Sequence, residues 1–433
     1  MIEGDCMTIL PTLGERSVQC VVTSPPYWGL RSYGFKKDDP ARLKMIGLEP
    51  TFERHLWNLV RVFREVRRVL RDDGTLWLNY GDSFWGGKGQ SGTNSPETTA
   101  CRHQAGVTLQ RPHQQVAGPG LTRPSDGKHR IYKPKDLLGM AWRVAFALQA
   151  DGWYLRSDII WHKRSPMPES VTDRPTKAHE YVFLFSKSPR YFYDAFAVRE
   201  AQSAGTFERF GNGKAQRKTT DKAIEYIKGE VRSNASFKDS TPDAIIGGRN
   251  MRSVWTLSTE PCRDAHFATF PTELVARCLK AGTSEKGCCR TCGAPWKRVT
   301  ESERRSTRPG TGSKVSIDRE SGETVDCPAK PWAAAEVGNR EPKRHVTDFK
   351  TAGWRPGCSC LQPTDSSLQP CTVLDPFAGS GTVGVVCRRL GLDFVGVELN
   401  PEYVAMAKRR IQRAMDDPTP ETPQSVGQME LIE

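Results

Sequence analysis

Short apolar runs alternate along the chain with long polar stretches. Val18 to Val22 is apolar and β-branched, the pattern of one buried strand. Phe52 to Leu70 places Leu56, Leu59, Val60, Phe63, Val66 and Leu70 mostly three or four apart, which predicts an amphipathic helix stopped by Asp72-Asp73-Gly74. Thr75 to Asn79 predicts the next strand, and strand–helix–strand in this order implies a parallel pair. Asp136 to Ala150 has helical spacing. Trp153 to Lys163 and Tyr181 to Ser186 read as strands around a polar turn, His162 to Glu180. Thr269 to Leu279 predicts a helix with a Pro271 start. The last ordered part repeats the alternation: strand Thr372 to Leu374, helix Gly379 to Arg389, strand Phe394 to Leu399, helix Pro401 to Ala414. At the other end, Met1 to Asp5 reads as the last residues of a strand and Cys6 to Leu13 as one or two helical turns.

Between these elements Gly86 to Lys133, Ala197 to Asn250 and Ser284 to Pro370 carry Gly, Pro, Ser, Thr, Lys and Arg without periodicity. Loops of such length inside a domain are functional or disordered. The expected organisation is an α/β core with polar insertions. Residues 1–85 form one half of the core, 86–133 a flexible loop, 134–196 and 256–283 further core, and 197–255 a target-recognition region. Residues 284–370 form a basic cysteine-bearing insert, 371–415 the second half of the core, and 416–433 a disordered tail.

Composition narrows the partners. The 433 residues carry 63 Lys+Arg against 50 Asp+Glu, a formal charge of +13, which favours a polyanion. No apolar run is long enough for a transmembrane helix, and the N-terminus lacks a signal-peptide pattern. Thirteen cysteines without an export signal read as reduced thiols, some of them metal ligands, in a cytoplasmic setting.

Two turns carry the chemistry. After the first strand, Thr23-Ser24-Pro25-Pro26-Tyr27 offers acceptor oxygens, a stiff backbone and a flat aromatic face, a set that suits a planar group bearing an exocyclic amine. Late in the chain, Asp375-Pro376-Phe377-Ala378-Gly379-Ser380-Gly381-Thr382 joins a strand to a helix N-terminus, where glycines let the backbone approach a ligand. A second strand, ending in Glu398-Leu399, follows roughly 20 residues on, and a carboxylate there can accept both ribose hydroxyls of a nucleoside. Gly379, Gly381 and Gly384 formally fit a dinucleotide fingerprint, but an acid at Asp375 suits the cationic amino-acid part of S-adenosylmethionine better than a pyrophosphate.

These motifs resemble those of the DNA amino-methyltransferases, in the circularly permuted β-type order that puts the target motif early and the cofactor motif late. Ser24-Pro25-Pro26-Tyr27 resembles the catalytic motif, and Asp375 to Thr382 the cofactor motif. Gly396 to Tyr403 resembles the ribose-binding segment. Gly4-Asp5-Cys6 resembles the cofactor-adenine segment, and His266 to Pro271, with Phe270, the segment closing over the methionine part. The resemblance implies a Rossmann-like sheet, S-adenosylmethionine as methyl donor, and flipped duplex DNA as substrate in a prokaryotic or phage restriction-modification setting. It makes Ser24, Pro25, Pro26 and Tyr27 catalytic. Asp5, Cys6, Thr23, Phe270, Asp375, Pro376, Phe377, Gly379, Ser380, Gly381, Thr382, Glu398 and Leu399 become cofactor-binding. Serine at the first motif position resembles the cytosine-N4 subgroup, with adenine N6 as the alternative. Cytosine C5 chemistry would need a Pro-Cys nucleophile at such a turn, and Pro261-Cys262 and Pro370-Cys371 lie elsewhere. A catalytically inactive zinc-containing DNA-binding protein, and methylation of a protein amide or RNA, are the rival functions. No obligatory protein partner is evident.

Cys289-x-x-Cys292-Gly has a knuckle shape, and Cys358-x-Cys360 can complete a structural four-sulfur zinc site, with Cys288 a rival for Cys289.

Overall fold

The computed structural model describes residues 1–29, 45–86, 129–200, 249–260, 270–306, 316–317, 324–325, 345–360 and 367–416. The predicted loop 86–133, the recognition region 197–255, the 266–271 segment and the tail fall largely outside them.

In chain order the elements are β1 (Ile2–Glu3), α1 (Cys6–Ile9), β2 (Val18–Thr23), α2 (Phe52–Val69), β3 (Leu70–Tyr80), α3 (Met140–Ala150), β4 (Tyr154–Lys163), β5 (His179–Ser186), β6 (Val254–Leu257) and α4 (Thr272–Gly282). There follow β7 (Cys288–Cys289), β8 (Lys297–Ser306), β9 (Ser316–Ile317), β10 (Thr324–Val325), β11 (His345–Arg355), β12 (Leu368–Gln369), β13 (Thr372–Asp375), α5 (Thr382–Arg389), β14 (Asp393–Glu398) and α6 (Pro401–Asp416). The chain divides into two compact units. The first, Met1–Ala197 with Arg252–Lys297 and Arg355–Glu433, holds an eight-stranded sheet in the order β1-β14-β13-β2-β3-β5-β4-β6. The second, Val198–Met251 with Arg298–Trp354, contains the two-stranded pairs β8/β11 and β9/β10 and the Glu200–Arg249 bridge.

Within the sheet β1, β14, β13, β2 and β3 run parallel, and β5 runs antiparallel to both β3 and β4. β2 is buried at all six positions, as a central strand covered on both faces must be. On one face α2 buries Phe52, Leu59, Val62, Phe63, Val66 and Val69. It shares a core there with Met140, Val144 and Leu148 of α3 and with Leu76 and Leu78 of β3. Each such side chain contributes about 1.5–3 kcal/mol on leaving water. Strand alternation turns Thr75 and Trp77 to the other face, against α4.

The predicted helix stop at Asp72-Asp73-Gly74 is corrected. α2 ends at Val69, and β3 begins at Leu70 and runs through Gly74. A register shift on the β2–β3 pairing absorbs the irregularity, and a Cβ at Gly74 would come 2.6 Å from Leu70 Cδ1. Gly74 therefore serves a close approach rather than a helix end. The four residues of β6 and the charged strands β8 and β11 had no apolar alternation to announce them.

Candidate active site

The sheet brings the two turns together at its carboxyl edge. β13 pairs with β2 through Val373–Cys20 and Leu374–Val21, so Asp375 and Thr23 end side by side. The Thr23 hydroxyl donates to Asp375 Oδ1 at 2.7 Å, across 352 residues of chain. Phe377 N–H donates to the same oxygen at 3.1 Å. Burial pushes the Asp375 carboxyl up to about 7, against those two hydrogen bonds. A buried acid with no cation beside it among the described residues favours its neutral form and gains from a cationic ligand.

The turn after β13 carries Gly379 at φ 51° and Gly381 at φ 77°, left-handed conformations that a side chain would strain. Gly381 also caps α5, and a Cβ there would come 2.7 Å from Ala407 on α6. Glu398 ends β14, where its Oε2 accepts from Gly379 N–H at 2.8 Å and its Oε1 from Asn400 N–H at 2.8 Å. The carboxylate is thereby fixed in orientation, while burial pushes its pKa up. Pro376 is buried, and Phe377 and Leu399 are half-buried around it. Arg410 of α6 donates to Ser380 Oγ at 2.7 Å and to Thr382 Oγ1 at 3.3 Å, so both hydroxyls are turned to α6.

β1 completes this side. Glu3 pairs with Glu398, and Gly4 N–H donates to the Glu398 carbonyl at 2.9 Å. The Asp5 side chain caps α1 through Met7 N–H at 2.9 Å, and Cys6 is buried beside it. Phe270 is half-buried just before Pro271, the N-cap of α4.

Ser24 and Tyr27 are half-buried, and Pro25 lies buried between the strand end and Pro26. Around them lies a network that sequence reading missed. Tyr27 O–H donates to Glu180 Oε2 at 2.8 Å, and Lys163 Nζ donates to Glu180 Oε1 at 2.5 Å. The Asn79 amide donates to Tyr27 Oη at 3.0 Å, to Ser24 Oγ at 3.3 Å and to Glu180 Oε2 at 3.2 Å. Asn79 Oδ1 is buried without a partner among the described residues. Burial pushes the Glu180 carboxyl up, but the Lys163 ammonium outweighs it and holds the group below its ordinary 4.5. Against Tyr27, the Tyr80 ring lies tilted by 37° with 4.7 Å between ring centroids, and His55 Nε2 lies 2.8 Å from Tyr80 Oη. His55 Nδ1 lies 2.9 Å from Glu49 Oε2, which anchors the ring pair in the core. The Asn79-Tyr80 pair, a polar ending on an apolar strand, was the available signal for part of this network. Glu180 and Lys163 meet only because β4 and β5 pair antiparallel.

At the opposite, amino edge of the sheet, Cys289, Cys292, Cys358 and Cys360 place their sulfurs within 4.8 Å of one another. The segment folds as a knuckle. Cys289 N–H donates to Ala294 O at 2.9 Å, Gly293 N–H donates to Cys289 O at 2.7 Å, and Gly293 takes φ 70°. Main-chain N–H groups of Cys292 and Thr291 face the Cys289 sulfur and hold its thiol down to about 7. Cys288 points elsewhere, its Sγ 3.4 Å from Pro370 O.

A sequence model described as DNA methylase matches residues 18–289 and 365–409. The chain is 36% identical over 412 residues to the Type II methyltransferase M.XycI of Xanthomonas campestris pv. cyanopsidis, covering 95% of this chain and 87% of that one. It is 35% identical to M.Cfr9I of Citrobacter freundii over the same shares of each chain. To M.SmaI of Serratia marcescens it is 32% identical, covering 95% of this chain and 90% of the relative. The sequence that carries both turns is thus matched, nearly end to end, by Type II methyltransferases, and the chain belongs to the N6/N4 DNA methylase family.

Proposed function

We propose that this DNA methyltransferase transfers a methyl group from S-adenosylmethionine to the exocyclic amine of a base flipped out of duplex DNA, with cytosine N4 as the target. The observation that carries the reading is the Thr23–Asp375 hydrogen bond, which sets a turn suited to a planar amine beside a turn suited to a charged nucleoside. The late position of the second turn supports the permuted β-type order. The type II relatives support a modification role beside a restriction enzyme.

The residues present fit the cofactor. Among the described residues no cation lies beside the buried Asp375 carboxyl, and an ammonium there would restore the ionised form. Glu398 is oriented by two main-chain N–H groups and keeps lone pairs for hydroxyls. The main-chain N–H groups of the Gly379–Thr382 turn remain for polar contacts, since the Ser380 and Thr382 side chains are engaged by Arg410. When bound, the cofactor supplies an electrophilic methyl on a sulfonium.

An exocyclic amine is a poor nucleophile because its lone pair is delocalised into the ring. Acceptors on the amine protons draw that lone pair back onto nitrogen and orient it. Ser24 Oγ and the Pro25 carbonyl are two such acceptors, and Asn79 Oδ1, at the end of β3 and without a partner among the described residues, is a third. The donation from Asn79 to Ser24 fixes the serine oxygen, and the Tyr27–Glu180–Lys163 chain fixes the Tyr27 ring that stacks on the base. On transfer the methyl–sulfur bond would break as the nitrogen–methyl bond forms, leaving the neutral thioether, and the nitrogen would give up one proton to water. The charge of +13 favours the DNA backbone.

Incubation with methyl-labelled S-adenosylmethionine and duplex DNA, followed by nucleoside analysis, tests the reading. Label in N4-methyldeoxycytidine is expected. Label in N6-methyldeoxyadenosine overturns the base choice, and absence of label in any base overturns the reaction.

A further inference from the structure

The four-cysteine knuckle lies at the sheet edge opposite the two turns, held to β2 and β3. Gln19 is the second residue of β2 and Ser24 follows its end, so the two edges of the sheet stand roughly 15–20 Å apart at about 3.3 Å per residue. The knuckle sits on the Gln19 edge. Gln19 Nε2 donates to Gly293 O at 3.0 Å, while its Oε1 accepts from Thr372 N–H at 2.6 Å. Arg71, at the start of β3, donates to the Cys292 carbonyl. One edge of the knuckle pairs with β12 through Leu368–Cys289 and Gln369–Cys288. On the other side Gly357 packs so closely on the Pro295 carbonyl that a Cβ would clash with it. The main chain alone therefore delivers two thiols from residues 289–292 and two from 358–360 to one point.

We propose that Cys289, Cys292, Cys358 and Cys360 bind one Zn²⁺ in a closed tetrathiolate shell that staples segment 289–292 to segment 358–360 at the amino edge of the sheet. Sulfurs about 2.3 Å from a tetrahedral zinc lie about 3.8 Å from each other, and a small inward movement from the observed spread of up to 4.8 Å reaches that distance. Four thiolates leave no open coordination position, so the ion is structural, as its distance from Ser24 and Asp375 also requires. The chain leaves the first unit after Lys297 and re-enters it at Arg355, between the two cysteine pairs. The metal thus closes the neck of a long insertion, where loop closure has most to gain. Cys288, buried and turned toward Pro370, is excluded from the shell, which resolves the choice between it and Cys289.

The test uses the full chain purified without added metal. Atomic analysis is expected to find about one zinc per chain. Titration with an organomercurial, read by a zinc dye, is expected to release that zinc as four thiols react. Cobalt exchanged into the site is expected to give tetrahedral visible bands with thiolate charge transfer. Cys360→Ser and Cys292→Ser should lower the metal retained after chelator dialysis at least tenfold, while Cys288→Ser retains it. Wild-type protein that melts at an unchanged temperature with less than a tenth of an ion per chain would overturn the proposal. So would disulfides among these four residues by mass, or Cys360→Ser holding zinc as tightly as wild type. The mercurial titration needs no variant to fold, and the metal count needs no turnover, so the outcome is separate from that of the proposed reaction.

Discussion

Asp375→Asn separates stability from binding. In the wild-type chain burial raises the carboxyl from an ordinary 3.8 to about 7, which at about 1.4 kcal/mol per pH unit bounds the cost of its charge at about 4 kcal/mol. The folded state binds more protons than the unfolded state between those two values. Stability is therefore fully present below pH 3.8 and is lost as pH rises through 7. Asparagine has no charge to bury, and its oxygen can still accept from the Thr23 hydroxyl and Phe377 N–H. The variant should match wild type near pH 4 and exceed it by about 2–4 kcal/mol at pH 8, or roughly 1 M in the urea midpoint. Cofactor affinity should fall by about 10–100-fold, the worth of a lost charge-assisted hydrogen bond. The assays are urea melts of cofactor-free protein at several pH values and calorimetric titration with S-adenosylhomocysteine. A midpoint difference that is the same at pH 5 and pH 8 would refute the burial argument. Unchanged affinity would refute the role given to the carboxylate.

Ser24→Ala should leave cofactor affinity intact and lower kcat by about 10²-fold or more, as for loss of an oriented polar contact in a transition state; single-turnover methylation reads it. Glu180→Gln strands the Lys163 ammonium and loosens Tyr27, costing about 2–3 kcal/mol at neutral pH. Because the Glu180 carboxyl is depressed in the fold, that cost should be present above pH 4.5 and fade as pH falls through the folded value, which paired pH-dependent melts would show. Gly81→Ala places a Cβ 2.6 Å from Tyr27 Cε2, so turnover should fall while cofactor titration stays normal. Equal activity would mean that the ring has room to move without consequence.

The sequence by itself determined most elements of the core sheet and its helices and the positions of the two turns at strand ends. Apolar periodicity reports which faces are buried, and that was enough for β2, α2, β14 and α6 to within a few residues. The proline turn at Ser24 and the glycine turn at Gly379 carry their own backbone constraints, so they were legible without neighbours. Only the tertiary structure decided what those turns touch. Glu180, Lys163, Asn79, His55 and Glu49 lie in separate segments with no shared spacing, and the β3–β5–β4 pairing with the α2 packing brings them to Tyr27 and Tyr80. It likewise turned the Ser380 and Thr382 hydroxyls to Arg410, and it set Cys289 rather than Cys288 with Cys292, Cys358 and Cys360. The physical reason is the same in each case. Local backbone preference acts over a few residues, whereas hydrogen bonds and burial act over a few ångströms and take their partners from anywhere in the chain.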